Sequence, residues 1–464
     1  MPAGGNRAGN IAALTTIDKR PGRSAPVPSG HRPRYRCSFG PPAPRHRALR
    51  LTTPAALMRL SSRPGTITAL GITQTLAWAS SYYLPAVLSV PMAQGLGIGV
   101  PTVFAAFSVA LLVSALLGPC AGRAIDRLGG RPVLMVTNLI FALGLAGLAC
   151  VQSTFQLFVA WALLGAGMGA GLYEAAFASL VRLYGTASRA GIAGVTLIAG
   201  FASTVGWPIS TILETHLGWR GACLVWAVLH LAVALPLNAL LPAPPERKQT
   251  GRAVAGDGVA ACAVATTLKP PGLAAAAHRA GAVSRTSMLL ALAFAITAFI
   301  STALAAHLPQ LLMAAGASSA AAVAAGALMG PAQVGARLLE FGFLRRWRPL
   351  TPARLAALSH PAGAALLLAF GAPLASAFVV LHGAGNGILT IARGTLPLML
   401  LGPHGYGARQ GAIVIPARIA QALAPWLFGL CIDHWGAGAL WVSTALGIFG
   451  FLALLSLNNE TSTP

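Results

Sequence analysis

A helix needs about 20 apolar residues to cross the hydrocarbon core of a bilayer, because within it every backbone N–H must find a carbonyl in the same segment. This chain of 464 residues carries twelve such runs, at roughly 66–90, 101–117, 133–151, 155–181, 190–213, 219–241, 288–313, 318–340, 352–370, 373–397, 409–431 and 437–457. A soluble interior could not hide them. Hydrophobic residues make up 56% of the chain and charged residues only 9%, where soluble domains carry roughly 25% charge. The pattern predicts an all-α membrane protein with twelve transmembrane helices set in a lipid bilayer.

The formal charge of +23 raises the question of a nucleic-acid partner. Its distribution argues against one. Of the 32 Lys and Arg, 12 precede residue 64, and the other 20 fall in short clusters between apolar runs, so no continuous basic face forms. Eighteen of those 20 flank turns on one predicted side of the membrane. They are Arg123, Arg127 and Arg131, then Arg182 and Arg189, then six between Arg247 and Arg285, then Arg337, Arg345, Arg346, Arg348 and Arg354, and last Arg393 and Arg409. Arg220 alone falls at an opposite-side turn, and Arg418 falls inside a run. Cytoplasmic loops hold the excess of Lys and Arg, so both termini are expected in the cytoplasm, across a bacterial-type plasma membrane. The six cysteines show no CxxC and no metal-ligand spacing. Neither a disulfide framework nor a metal site is expected.

The polar stretch at about 242–287, with "APPERKQTGR", divides the runs six and six, as a flexible linker would. "GAGMG" at Gly165–Gly169 recurs as "GAGNG" at Gly383–Gly387, Gly118–Pro119 recurs at Gly330–Pro331, and Arg131–Pro132 recurs at Arg348–Pro349. Three matches in order, at shifts near 215, predict a duplicated six-helix unit, as in many secondary transporters. The expected layout is a basic segment at 1–63, a six-helix bundle at 64–241, a linker at 242–287, a second bundle at 288–457 and a tail at 458–464. A monomer of two pseudo-symmetric bundles is expected.

"GPCAGRAIDRLGGRPV" at Gly118–Val133 places an Asp and three Arg in an otherwise uncharged region, between runs 2 and 3. It resembles the signature loop of the major facilitator superfamily, Gly-x-x-x-Asp-Arg-x-Gly-Arg-Arg in outline. Gly122, Asp126, Arg127, Gly129 and Arg131 match, and Gly130 stands where an Arg is often found. The resemblance covers about 66–457 and implies that this cluster latches the two halves in one conformation. Physically, glycines let helix ends approach, and Asp126 can accept from Arg residues or face a helix N-terminus. "GARLLEFGFLRRWRP" is a degraded copy in the second half, in which Glu340, with Arg345 and Arg346, is expected to do the same work. Two departures stand out. Trp161 occupies the place of an Arg that proton-coupled members carry in span 4, and Trp207 interrupts the Gly-Pro pair of drug antiporters in span 5.

Charges within runs usually face a cavity or a partner, since they cost about 2.5–3.5 kcal/mol at the bilayer centre. Arg418, nine residues into run 11, is the candidate for an anionic substrate group; the rival reading is an Arg neutralised by a fixed structural partner. Glu174 in "GLYEAAF" is either the proton-coupling group or a structural ion-pair partner, and it is expected nearer the cytoplasm than Arg418. Gln74, Trp78, Ser81 and Pro85 share a face of run 1, and His382 and Asn386 share one of run 10. In the family, spans 1, 4, 7 and 10 line the cavity, which makes Gln74, Trp78, His382 and Asn386 substrate-binding candidates. Tyr82 and Tyr83 read as an interfacial belt.

The expected function is secondary transport of a small solute by alternating access, driven by a proton or other ion gradient, without cofactor or catalytic residue. The imperfect Gly-Pro segment leans the expectation to export; import of a small organic anion is the alternative. A non-transporting sensor is disfavoured by the short tail "NNETSTP", and an intramembrane enzyme by the absence of HExxH, Gly-x-Ser-x-Gly or paired aspartates. Residues 1–57 hold ten Lys and Arg, one acid and no apolar run, a composition that does not build a core. Met58 begins a short basic lead into run 1, so the natively expressed protein is expected to start there. N-terminal sequencing checks this, and a mature chain beginning near Pro2 would refute it.

Overall fold

The computed structural model describes residues 62–243 and 273–457. The basic segment at 1–61 and the tail lie outside the described residues. So does the linker, except at its ends, where residues 273–287 already belong to a helix.

Among the described residues, all regular elements are helical. The first half holds α1 (Arg63–Ser80), α2 (Pro85–Leu96), α3 (Val100–Leu128), α4 (Gly130–Ala149), α5 (Thr154–Gly171), α6 (Tyr173–Tyr184), α7 (Arg189–Ala199), α8 (Ala202–Leu229) and α9 (Leu235–Ala239). The second holds α10 (Leu273–Ala314), α11 (Ser319–Ala327), α12 (Met329–Gly342), α13 (Leu350–Phe370), α14 (Ala375–Leu401), α15 (Tyr406–Trp435) and α16 (Ala439–Leu455). Eight continuous helical runs among them are long and apolar enough to cross a membrane. Large apolar side chains such as Leu116, Phe155 and Trp426 stand exposed on their outer faces, where lipid rather than water suits them.

The longest run, Thr154–Ala239, has 86 residues and would measure about 129 Å as one rod. It is broken where the backbone leaves the helical region, at Leu172 (ψ −168°), Gly185 (φ 57°) and Gly218 (φ 68°). At Gly218 the chain reverses. Trp226 Nε1 donates to Ser210 Oγ at 3.1 Å, although sixteen residues of straight helix would separate them by about 24 Å. Expected run 1 is likewise not one helix. It stops at Ser81 (φ −127°, ψ −75°) and restarts at Pro85, where proline suits the first turn.

The internal repeat is visible as packing. A Cβ at Gly165 or Gly169 of α5 would run into the backbone of Ala110 or Ser114 of α3. A Cβ at Gly383 or Gly387 of α14 would meet that of Met329 or Gln333 of α12. Each half therefore presses a Gly-x-x-x-Gly edge onto one turn of a neighbouring helix, at shifts of 218 and 219 residues. One hydrophobic cluster is built almost wholly from Ala69 to Leu241, with Leu398, Tyr406 and Ala422 as its contribution from the second half. Two others are built from Leu290 to Leu457. Replacing Gly165 by Val should force α3 and α5 apart and destabilise the protein by about 1–3 kcal/mol. Thermal unfolding in detergent measures this, and an unchanged midpoint would contradict the backbone-to-backbone contact.

Candidate functional site

The two halves meet along α3 and α15, the most extensive helix pairing in the molecule. The helices run antiparallel. Asp126 and Gly122 lie at Gly407, Gly118 at Gly411, and Ser108 at Ala422, so the paired residue numbers add to nearly the same value throughout. A Cβ at Gly122 would fall on the Gly407 carbonyl, and one at Gly411 would meet the Gly118 backbone at 2.6 Å. Only glycine permits this approach.

Asp126 completes the crossing. Its Oδ1 accepts from Gly407 N at 3.0 Å and its Oδ2 from Ala408 N at 2.9 Å. These N–H groups belong to the first turn of α15, whose own N-cap, Gly405, supplies no side chain. The carboxylate of one half therefore caps a helix of the other, where a negative charge is also favoured by the helix dipole. Of the other loop residues, Gly129 adopts φ 87° and ends α3. Arg127 and Arg131 are exposed and make no hydrogen bond or ion pair among the described residues. Gly130, which departs from the signature, has a local reason. A Cβ there would strike Ser179 Oγ of α6.

The degraded copy is looser. Glu340 Oε1 stands 3.7 Å from Arg189 Nη2 at the start of α7, while its Oε2 has no hydrogen-bond partner. Arg189 also donates to the Trp347 carbonyl at 3.2 Å. A cavity of about 270 Å³ lies beside this pair, lined by Thr186, Ala193, Glu340, Phe341 and Ile391 among others. The Arg345 side chain lies outside the described residues.

In the interior, Arg418 and Glu174 are bonded across the halves, Nη2 to Oε2 at 3.0 Å. The sequence reading placed Glu174 well nearer the cytoplasm, late in a continuous span. The break at Leu172 is the reason for the difference. It ends α5 and puts Glu174 in the first turn of α6. Arg418 Nη1 also donates to Gln421 Oε1 at 3.2 Å, and its guanidinium lies 5.9 Å from the Trp78 ring centroid. Gln421 Nε2 reaches Tyr82 OH at 3.5 Å, and Tyr82 OH meets Thr302 Oγ1 at 3.2 Å. Tyr82 and Tyr83 pack on Trp78 rather than forming an outer belt, because the break at Ser81 redirects the chain. Trp78 also packs on Tyr173, the rings tilted with centroids 4.8 Å apart. Between Glu174 and Arg418 the remaining cavity is only about 10 Å³, at most one water. The halves are closed on each other here.

The other candidates are not drawn to this pair. Gln74 Nε2 donates to the Gly171 carbonyl at 2.6 Å. His382 Nδ1 pairs with His360 Nδ1 at 3.1 Å within the second half, and the side chain of Asn386, one turn on, makes no hydrogen bond among the described residues. Trp161 is fully buried against Phe107. Two cations were missed. Arg393 and Arg337, which the sequence reading counts as charges flanking cytoplasmic turns, lie within α14 and α12. Arg337 is 5% exposed, and the Nε atoms of both are buried without a partner. Helix α14 runs on to Leu401, past the expected end of run 10.

A polytopic helical protein whose duplicated halves clasp a buried ion pair has the build of a membrane carrier. A sequence model of the Major Facilitator Superfamily matches residues 70–380, and the chain belongs to that family. It is a transporter rather than an enzyme, and a multi-pass membrane protein. It is 25% identical over 372 residues to "Uncharacterized 38 kDa protein in 23S RNA operon" of Thermoproteus tenax, covering 80% of this chain and 89% of that one. It is 31% identical to monocarboxylate transporter 11 of Mus musculus over 135 residues, 29% of this chain and 30% of that one. The human organic anion transporter MFSD10 superposes with a TM-score of 0.59 at 18% identity, over 84% of this chain and 99% of that chain. The fucose:proton symporter of E. coli superposes at 0.64 with 15% identity, over 85% and 98%. These structural likenesses concern the fold.

Asp126→Asn leaves one carbonyl oxygen for two N–H donors and removes the charge. A lost charged hydrogen bond costs about 1.5–3 kcal/mol, so the variant should insert normally and populate conformations in which α3 and α15 have parted. Spin labels across the crossing should report the longer distance, with transport severely reduced. Wild-type distances and rates would remove Asp126 from the latch.

Proposed function

We propose that this protein is a proton-coupled carrier of a small organic anion, working by alternating access in a plasma membrane with both termini cytoplasmic. The observation that carries the reading is the charge between the halves. Arg393 and Arg418 both lie within electrostatic reach of the buried carboxylate of Glu174, and only Arg418 is paired with it. Burying unpaired guanidinium groups is costly, and a negatively charged cargo offsets that cost. Orphaned donors point the same way. Trp78 Nε1, Ser114 Oγ and Trp161 Nε1 are buried without acceptors, and a carboxylate brings acceptors only. The partly matching relatives named for monocarboxylates, and the fold neighbour named for organic anions, are consistent with this chemistry.

Coupling follows from the pair. When the halves part, Glu174 and Arg418 separate, and each needs a new partner. Leaving one member of a buried pair uncompensated costs about 3–5 kcal/mol. A proton on Glu174 together with an anion at Arg418 restores neutrality, so the two load from the same side. That favours symport over the antiport to which the Gly-Pro segment leaned. Net export then requires only that the anion be accumulated inside.

Reconstituted protein should take up small labelled carboxylates faster when a pH gradient, acid outside, is imposed. Arg418→Ala should abolish binding, whereas Glu174→Gln should still exchange anion for anion and ignore the gradient. Should Glu174→Gln restore an inactive Arg418→Ala, the pair would be purely structural and both roles would be wrong.

A further inference from the structure

Glu340 is a buried carboxylate without a hydrogen bond among the described residues. It is 5% exposed. Its Oε2 has no partner, and its Oε1 stands 3.7 Å from Arg189 Nη2, beyond hydrogen-bond reach. Arg337, one turn earlier on α12, donates to the Thr196 carbonyl rather than to this carboxylate. An ionised carboxylate only accepts, and burying it without a donor is costly. Arg189 has capacity to spare as well. Its Nη2 donates to the Trp347 carbonyl, and its other nitrogens make no hydrogen bond among the described residues.

Both side chains line the cavity of about 270 Å³. Thr186 and Ala193 reach it from the first half, on the turn before α7 and on α7 itself, and Phe341 and Ile391 from α12 and α14 of the second. The wall is therefore largely apolar, with one guanidinium, one carboxylate and one hydroxyl. None of these residues lines the small space between Glu174 and Arg418. Sites for drug-sized ligands measure about 300–1,000 Å³, so the occupant is smaller than that. An anion alone would be repelled by Glu340, and a cation alone by Arg189. A zwitterion suits both. The ammonium and carboxylate of an α-amino acid are joined through a single carbon, which matches a cation and an anion standing 3.7 Å apart.

We propose that this cavity binds a small apolar α-amino acid as a zwitterion, separately from the cargo at Arg418. The ammonium donates to Glu340 Oε2, the carboxylate accepts from Arg189, and the side chain lies against Phe341 and Ile391. Because the wall comes from both halves, the bound molecule favours the arrangement in which they meet here. A ligand that binds one arrangement alone shifts the population toward it. The amino acid is thus an inhibitor rather than a substrate.

The test titrates the full chain in detergent with leucine, isoamylamine and isocaproate. The last two keep the apolar tail and carry only the ammonium or only the carboxylate. Leucine should bind about 10- to 100-fold more tightly than either, the worth of one further charged hydrogen bond. Glu340→Gln should lower leucine affinity by about the same factor. Ala190 lines the cavity from an exposed position, so Ala190→Leu should block leucine binding while the unfolding midpoint of the empty protein stays unchanged. In proteoliposomes leucine should slow the exchange of labelled carboxylate, and excess carboxylate should not relieve the inhibition. Equal binding of the three probes, or leucine binding that survives both substitutions, would overturn the site. Inhibition relieved by carboxylate would place leucine at Arg418 and overturn it too. Each of these failures leaves the anion-carrier reading standing.

Discussion

The structure turns on one helix end capped from outside its own bundle. The first N–H groups of any helix lack intrahelical acceptors, and α15 begins at Gly405, which brings no side chain to satisfy them. Asp126 of α3 does so from the other half. Because the cap is charged, the contact is strong, and it joins one half of the chain to the other. The glycines at 122, 407 and 411 serve this contact. Any side chain there would hold the carboxylate out of reach of the N–H groups.

The duplication makes the second crossing instructive. A shift of 219 residues carries Ala110 to Met329 and Ser114 to Gln333, and the same shift carries Gly118 to Arg337. Where the first half has a glycine that lets backbones touch, the second half has a guanidinium wedged against α7. One crossing is tight and backbone-to-backbone. The other is spaced by a charged side chain, closed by a 3.7 Å ion pair and flanked by a cavity of about 270 Å³. One seam is closed by backbone contact and a carboxylate cap, and the other holds a cation.

Most of the architecture was legible because bilayer crossing imposes a length and an apolarity that few residues can disguise. Asp126 was legible too, since a carboxylate in an apolar stretch needs a partner, and a helix N-terminus was one of the two partners available. What escaped the sequence were helix breaks and helix extensions. Leu172 carries no breaker signal in "GAGLYEAAF", yet its extended ψ moves Glu174 to a helix start within reach of Arg418. Arg337 and Arg393 fall near the ends of runs 8 and 10, so each read as one more positive-inside charge flanking a turn. Of the 18 cations assigned to cytoplasmic turns, two are thus interior, and the same rule that oriented the chain concealed them. A charge near a span's edge is ambiguous by its nature, because one more helical turn moves it about 5 Å inward.

That ambiguity bears on why the interior keeps any charge. An apolar replacement of the Glu174–Arg418 pair could be as stable or more so, since desolvating both ions offsets much of their attraction. A pair of this kind therefore contributes little to holding a single conformation. Its value lies in the penalty for separating it. In a protein that must alternate between two arrangements, an uncompensated separation is a barrier, and a separation compensated by proton and anion is not. In the proposed symport, a carrier with only one of the two bound pays this penalty, while the fully loaded carrier does not. Placing the two charges on α6 and α15, one in each half, makes every opening of the interface pass through that choice. A salt bridge within one bundle would be indifferent to the motion and could couple nothing.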